Sequence, residues 1–227
     1  MRKYIPSLVS YISLSCGIMA ILQAIKGNLE ISSILILSGN LLDGVDGELA
    51  RRLKVTSPFG IQLDSLVDAV VFAVAAPFLI VQHLQDSDTA WWAIAIGMLV
   101  FCIAGIFRLA RFNTYAGRDK PRDTTGLTIS VSGGYLALLV LVDRAFATSP
   151  IPDWLYLPIL LILAVMMVSR IRFPELKTIL SHRIPSLALL VTMAIAAIWL
   201  TPQLVWFLII TTYISFGVGR AIYGLLI

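Results

Sequence analysis

Eight apolar runs, at about residues 4 to 24, 31 to 50, 60 to 82, 90 to 107, 128 to 147, 153 to 169, 184 to 201 and 203 to 226, alternate with short polar connections. Each approaches the roughly 20 residues that a helix needs to cross a hydrocarbon layer about 30 Å thick. Within such a layer, backbone polar groups must find their partners inside a helix or a closed barrel. The pattern predicts an all-α, polytopic membrane bundle of about eight transmembrane helices. No Pro/Gly/Ser-rich linker or low-complexity stretch divides it, so residues 1–227 read as one domain. The opening lacks an Ala-x-Ala-like cleavage site, and the first run reads as a retained span.

Hydrophobic residues make up 59% of the chain and charged residues 13%, with a mean hydropathy of +0.91, which excludes a water-soluble domain. A net charge of +4 raises the question of nucleic acid, but the placement of the basic residues answers it. With the N-terminus in the cytoplasm, 15 of the 17 basic residues fall at cytoplasmic ends and loops, and only Lys26 and Arg144 fall outside. This positive-inside bias predicts an even number of spans with both termini cytoplasmic, in a cell membrane, and no nucleic-acid partner. Cys16 and Cys102 have no CxxC spacing and read as packing residues. His83, at a loop edge, and His182, in a basic loop, read as solvated. The connection Asn113 to Thr125 reads as a cytoplasmic loop and Arg170 to Arg183 as an interfacial segment.

Asp43, Asp46, Asp64 and Asp68 break the apolar pattern, because an ionised group inside a membrane span is costly unless something compensates it. The second and third runs form a hairpin across Arg51 to Phe59, whose Thr56, Ser57 and Pro58 carry turn chemistry. At 1.5 Å per residue, Asp46 and Asp43 lie roughly 7 and 12 Å below Arg51, while Asp64 and Asp68 lie roughly 6 and 12 Å below Gly60. All four carboxylates are therefore expected at matching depth. Spacings of three and four place Asp43, Asp46, Gly47 and Ala50 on one helical face, and Gly60, Asp64 and Asp68 on another. Four like charges so close call for divalent cations between them, and an oxygen-only ligand set favours Mg²⁺ or Mn²⁺. Gly47, Ala50 and Gly60 either remove bulk for a nucleotide diphosphate or pack helices. Arg51, at the mouth, suits a phosphate.

These eight positions spell DxxDGxxARx8Gx3Dx3D, and the chain resembles the CDP-alcohol phosphotransferase family on that motif. The resemblance implies transfer of a phosphoalcohol group from a CDP-linked donor to an acceptor hydroxyl, releasing CMP, in a membrane enzyme with a six-helix core. It implies that Asp43, Asp46 and Asp64 are metal ligands of a two-ion Mg²⁺ or Mn²⁺ site. Asp68 is implied as general base and further metal contact, with Gly47, Ala50, Arg51 and Gly60 lining the CDP site.

Beyond the motif, Ile5-Pro6, Ser15-Cys16-Gly17, Leu63 to Asp68 and Arg108-Leu109-Ala110-Arg111-Phe112-Asn113 resemble the membrane-type phosphatidylserine synthases of bacteria and archaea. That implies CDP-diacylglycerol or CDP-archaeol as donor, L-serine as acceptor and a homodimer. The segments Val71 to Pro77 and Gly126-Leu127-Thr128 depart from that pattern, so inositol phosphate, glycerol phosphate or another alcohol stays open as acceptor. Arg108 and Arg111, on one helical face, read equally as a clamp for lipid phosphate or an acceptor carboxylate and as snorkelling arginines. A divalent-cation transporter is the alternative from another class, and the chain shows no internal repeat of the transporter kind.

Overall fold

The computed structural model describes residues 5–53, 55, 57–114, 123–146, 151–174 and 202–226. They form α1 (Ile5–Ile25), α2 (Leu29–Leu53), α3 (Pro58–Asp68), a π-helical segment (Ala69–Ala75), α4 (Ala76–His83), α5 (Trp91–Thr114), α6 (Ile129–Arg144), α7 (Tyr156–Val168) and α8 (Pro202–Leu226). Two three-residue strands, β1 (Asp123–Thr125) and β2 (Arg172–Pro174), pair antiparallel. The apolar runs thus become helices, and Pro6–Ile25, Pro58–His83 and Trp91–Thr114 are long and apolar enough to cross a membrane. The expected span at 184–201 lies outside the described residues, as does His182.

α1 and α2 form the first hairpin. Gly27 makes the turn at φ +78°, a left-handed conformation that suits glycine, with Gly27 N–H donating to Ala24 O (2.9 Å) and Asn28 N–H to Gln23 O (3.0 Å). The face of α1 toward α2 is a stripe of small residues, Ser10, Ser13, Gly17, Ala20 and Ala24, whose 3-4-3-4 spacing keeps them on one side. All five are buried, and the close approach lets Ser13 Oγ donate to Gly39 O (3.1 Å) and Ser32 Oγ to Ala20 O (2.8 Å).

The third run is one continuous rod with a π segment at its centre. Pro77 explains part of it: without an N–H it cannot serve Ala73 O one turn back. That carbonyl instead accepts from the Cys102 thiol of α5 (Sγ to O 2.8 Å), so Cys102 is a hydrogen-bonding residue as well as a packing one. The widened turn is the hub of the bundle. A β-carbon on Gly17 of α1 would lie 2.7 Å from Val71 Cγ2, on Gly39 of α2 2.9 Å from Val71 Cγ1, on Gly133 of α6 2.8 Å from Phe72 Cβ, and on Gly105 of α5 3.2 Å from Ala73 Cβ. Four helices each offer a glycine to three consecutive side chains. Gly133 also faces the Phe72 backbone at 3.0 Å, which cannot rotate away. Gly133→Val is therefore expected to destabilise the bundle by about 1–3 kcal/mol through overpacking. Gly219→Ala, with nothing within 4 Å among the described residues, should not destabilise it. Equal melting of Gly133→Val and wild type in detergent would refute the hub.

Hydrogen bonds define two ends. At one, Arg111 joins the end of α5 to Thr125 and to the end of α7, and Asn113 meets Ser65 of α3. At the other, His83 ends α4 against Asp143 of α6, near Ile151. α7 and α8 run in the same direction, away from this second end. Trp91, Trp92, Trp154 and Trp206 are exposed and all lie toward it, as an interfacial aromatic belt would.

Candidate active site

Each motif aspartate is positioned by a different local device. Asp43 lies one turn from Asn40, whose Nδ2 donates to Ser130 O of α6 (2.8 Å), and Gly134 leaves the room for that amide. α3 starts on Ser57, whose Oγ accepts from Gly60 N–H (3.1 Å), with Pro58 in the first turn. Beside Asp64, Ser65 exchanges hydrogen bonds with Asn113 of α5 (3.0 and 3.2 Å), which ties α3 to the Arg108–Asn113 segment. Asp68 ends α3 directly before the glycine-locked π segment.

The hairpin brings Asp43, Asp64 and Asp68 together: one carboxylate oxygen from each lies within 4.8 Å of the others. Asp68 is 9% exposed, and its Oδ1 is buried with no hydrogen-bond partner among the described residues. Three carboxylates with an orphaned buried oxygen form a donor set that fits a divalent cation, which would satisfy that oxygen and relieve the repulsion.

Asp46 departs from the expected meeting of all four. It is 4% exposed and accepts a hydrogen bond from Ser10 Oγ at 2.6 Å, outside the group of three. It stands about one turn nearer the mouth than Asp43, and Ser10 of α1 is the hydroxyl facing it there. Sequence reasoning missed Ser10, although its place in the small-residue stripe marks it as facing α2.

The glycines divide into two kinds. Those of the hub pack against side chains, whereas among the described residues a β-carbon on Gly47 would meet only the Arg51 guanidinium at 3.9 and 4.0 Å, and one on Gly60 only Ser57 Oγ at 3.3 Å. Packing among the described residues therefore does not account for Gly47 or Gly60, and none of those residues fills the space before either. Ala50 is partly buried beside them. Arg51 is more than half exposed at the mouth and pairs with Glu48 (3.0 Å), which also pairs with Arg52 (3.0 Å).

The two arginines of α5 part company. Arg108 is 8% exposed, within electrostatic reach of Asp68, Asp43 and Tyr213, and lies over the Phe112 ring at 5.9 Å. Its Nε is buried without a hydrogen-bond partner among the described residues. Arg111 instead donates to Val168 O (2.8 Å), Thr125 O (3.1 Å), Met167 O (3.1 Å) and Ser169 O (3.4 Å). Its charge meets the carbonyl end of α7, a structural role favoured by the helix dipole. Gly126 allows this: it adopts φ +79°, and a β-carbon there would collide with Met167 O and crowd Arg111. The contacts of Arg111 thus favour a structural tie over half of an anion clamp.

Far from the aspartates, His83 corrects its reading as a solvated residue. Its Nε2 lies 3.0 Å from Asp143 Oδ2, both side chains are buried, and the Tyr156 ring centroid is 5.0 Å away. Asp143 Oδ1 accepts from Ile151 N–H (3.2 Å). The signal was Asp143 itself, an acid inside the apolar run 128 to 147 that needed a partner.

Residues 3–169 match the family model for CDP-alcohol phosphatidyltransferase. A CDP-diacylglycerol–serine O-phosphatidyltransferase of Helicobacter pylori strain J99 is 31% identical over 219 residues, covering 96% of this chain and 91% of the relative. The enzyme of the same name from Bacillus subtilis is 31% identical over 183 residues, 77% of this chain and 92% of the relative. An archaetidylserine synthase of Methanothermobacter thermautotrophicus is 33% identical over 174 residues, covering 75% and 70% respectively.

Proposed function

Because the chain belongs to the CDP-alcohol phosphatidyltransferase family, we propose that it transfers a phosphatidyl group from CDP-diacylglycerol, or its archaeol counterpart, to the hydroxyl of L-serine, releasing CMP. The observation that carries this reading is the trio Asp43, Asp64 and Asp68, with its orphaned oxygen, on the two helices that hold the whole motif. A transport path has no need of the open space at Gly47 and Gly60, and the family match leaves the cation-transporter alternative without support.

Asp43, Asp64 and Asp68 would hold Mg²⁺ or Mn²⁺, with Asp46 completing the set for a pair of ions. A bound divalent cation supplies charge neutralisation for the donor's diphosphate. Gly47, Ala50 and Gly60 leave the helix surfaces low enough for the cytidine diphosphate to approach, and Arg51 exchanges Glu48 for a phosphate oxygen. Arg108, buried beside the trio with Nε unsatisfied, faces the carboxylate of serine and fixes its hydroxyl toward Asp68. Asp68 accepts the hydroxyl proton on the carboxylate oxygen left free of the cation as the serine oxygen attacks the β-phosphorus, and the bond to CMP breaks. Serine is favoured over uncharged alcohols because its carboxylate offers the unpartnered Nε of Arg108 a charge-assisted hydrogen bond.

We place this site at the cytoplasmic face of a cell membrane, in a chain crossing it eight times with both termini inside. The basic residues support that orientation, as do the tryptophans at the opposite end and the parallel run of α7 and α8. One assay tests both chemistry and sidedness. Inverted vesicles given CDP-diacylglycerol, Mn²⁺ and a panel of alcohols should release CMP with serine, whereas right-side-out vesicles should do so only after permeabilisation. CMP release with another alcohol and not with serine would reassign the acceptor. Equal activity in sealed right-side-out vesicles would reverse the orientation.

A further inference from the structure

Ser10 stands outside the family motif, on a different helix, 36 residues from the carboxylate it touches. Both groups are buried, Ser10 at 5% and Asp46 at 4% exposure, and their 2.6 Å separation is that of a short, charge-assisted hydrogen bond. The hydroxyl has one proton and two acceptors in reach, Asp46 Oδ2 and Pro6 O at 3.2 Å, and the shorter contact to a carboxylate takes it.

We propose that Ser10 is a positioning residue of the cation site: by pinning one oxygen of Asp46 it holds the other in a fixed direction beside Asp43, Asp64 and Asp68. The inference rests on the cation reading of those aspartates. Asp46 lies outside the group of three, so its contribution depends on its being oriented before a cation arrives. A free carboxylate there would lose rotamer freedom on binding and would have to be reoriented against the repulsion of Asp43. Ser10 settles that orientation in advance, and Ser13 on the same face of α1, which donates to Gly39 O of α2, fixes where that hydroxyl lies. Hydrogen bonds to the outer side of metal ligands are typically worth about 10- to 100-fold in affinity.

The test measures cation binding directly, by the electron paramagnetic resonance signal of free Mn²⁺ titrated into the full-length protein in detergent. Ser10→Ala should weaken Mn²⁺ binding by about 10- to 100-fold. Ser10→Thr, which keeps the hydroxyl, should bind close to wild type. In turnover, Ser10→Ala should raise the Mn²⁺ concentration giving half-maximal rate while saturating Mn²⁺ restores kcat. Melting without metal reports any purely structural cost. In an Asp46→Asn background, Ser10→Ala should add little, because the group it orients has already been changed. Unaltered Mn²⁺ binding by Ser10→Ala, or an equal loss in Ser10→Thr, overturns the inference and leaves the cation reading standing. Failure of the wild-type protein to take up Mn²⁺ overturns the cation reading itself, and this inference with it.

Discussion

Asp64→Ala is expected to abolish CMP release and divalent-cation uptake while the helical bundle stays folded. Asp64 comes from α3, whose start is fixed by the Ser57 cap and whose face is tied to α5 through Ser65 and Asn113, so the helix keeps these anchors when the Asp64 side chain is removed. What it contributes is one of three carboxylate oxygens within 4.8 Å. Cation-mediated charge stabilisation amounts to several kcal/mol. At about 1.4 kcal/mol per tenfold, its loss corresponds to a rate decrease of about 1,000-fold or more. The same change should raise the melting temperature measured in EDTA, because three crowded like charges become two. Opposite signs for activity and for metal-free stability distinguish a ligand from a structural residue. Activity that survives both EDTA and Asp64→Ala would end the metal model.

Much of this was legible because a membrane simplifies the code. Span-length apolar runs leave little choice but helices, and any polar residue within them stands out against a uniform background. The four aspartates announced themselves in that way, and helical rise alone brought the two halves of the motif to one level. Rise cannot say which way a carboxylate turns. Asp46 and Asp43 share a face, yet Asp46 is drawn to Ser10 because α1 packs there, a tertiary fact. Arg108 and Arg111 likewise share a face and a charge, but what separates them is the end of α7, which lies 57 residues from Arg111. The π segment was hidden for a different reason. Its sequence, Ala69 to Ala75, is as apolar as any span, and only the glycines that receive Val71, Phe72 and Ala73 from four helices reveal the wider turn. Those glycines were visible as scattered small residues, and their convergence on one segment was not.

Asp68→Asn should separate proton transfer from cation binding. Asp68 occupies the last position of α3, held by the packed turn that follows it, so its carboxyl is fixed with little freedom to follow a substrate. It offers one carboxylate oxygen to the trio, which leaves the other with a lone pair for the acceptor hydroxyl. Arg108 lies close enough to orient an anionic acceptor beside it. Asparagine preserves the shape and offers one neutral oxygen to a cation, but it cannot take the proton. General-base assistance is typically worth about 100- to 10,000-fold, so Asp68→Asn should lower kcat by that factor. KM for the CDP-lipid and the Mn²⁺ affinity should change far less. Asp64→Asn, measured beside it, should lose cation affinity along with turnover. If the two variants lose Mn²⁺ binding equally, Asp68 is a ligand first, and the proton must leave through water or through the acceptor's own groups. If instead Asp68→Asn keeps its cation and loses only the rate, the carboxylate that ends α3 is the one that does the chemistry.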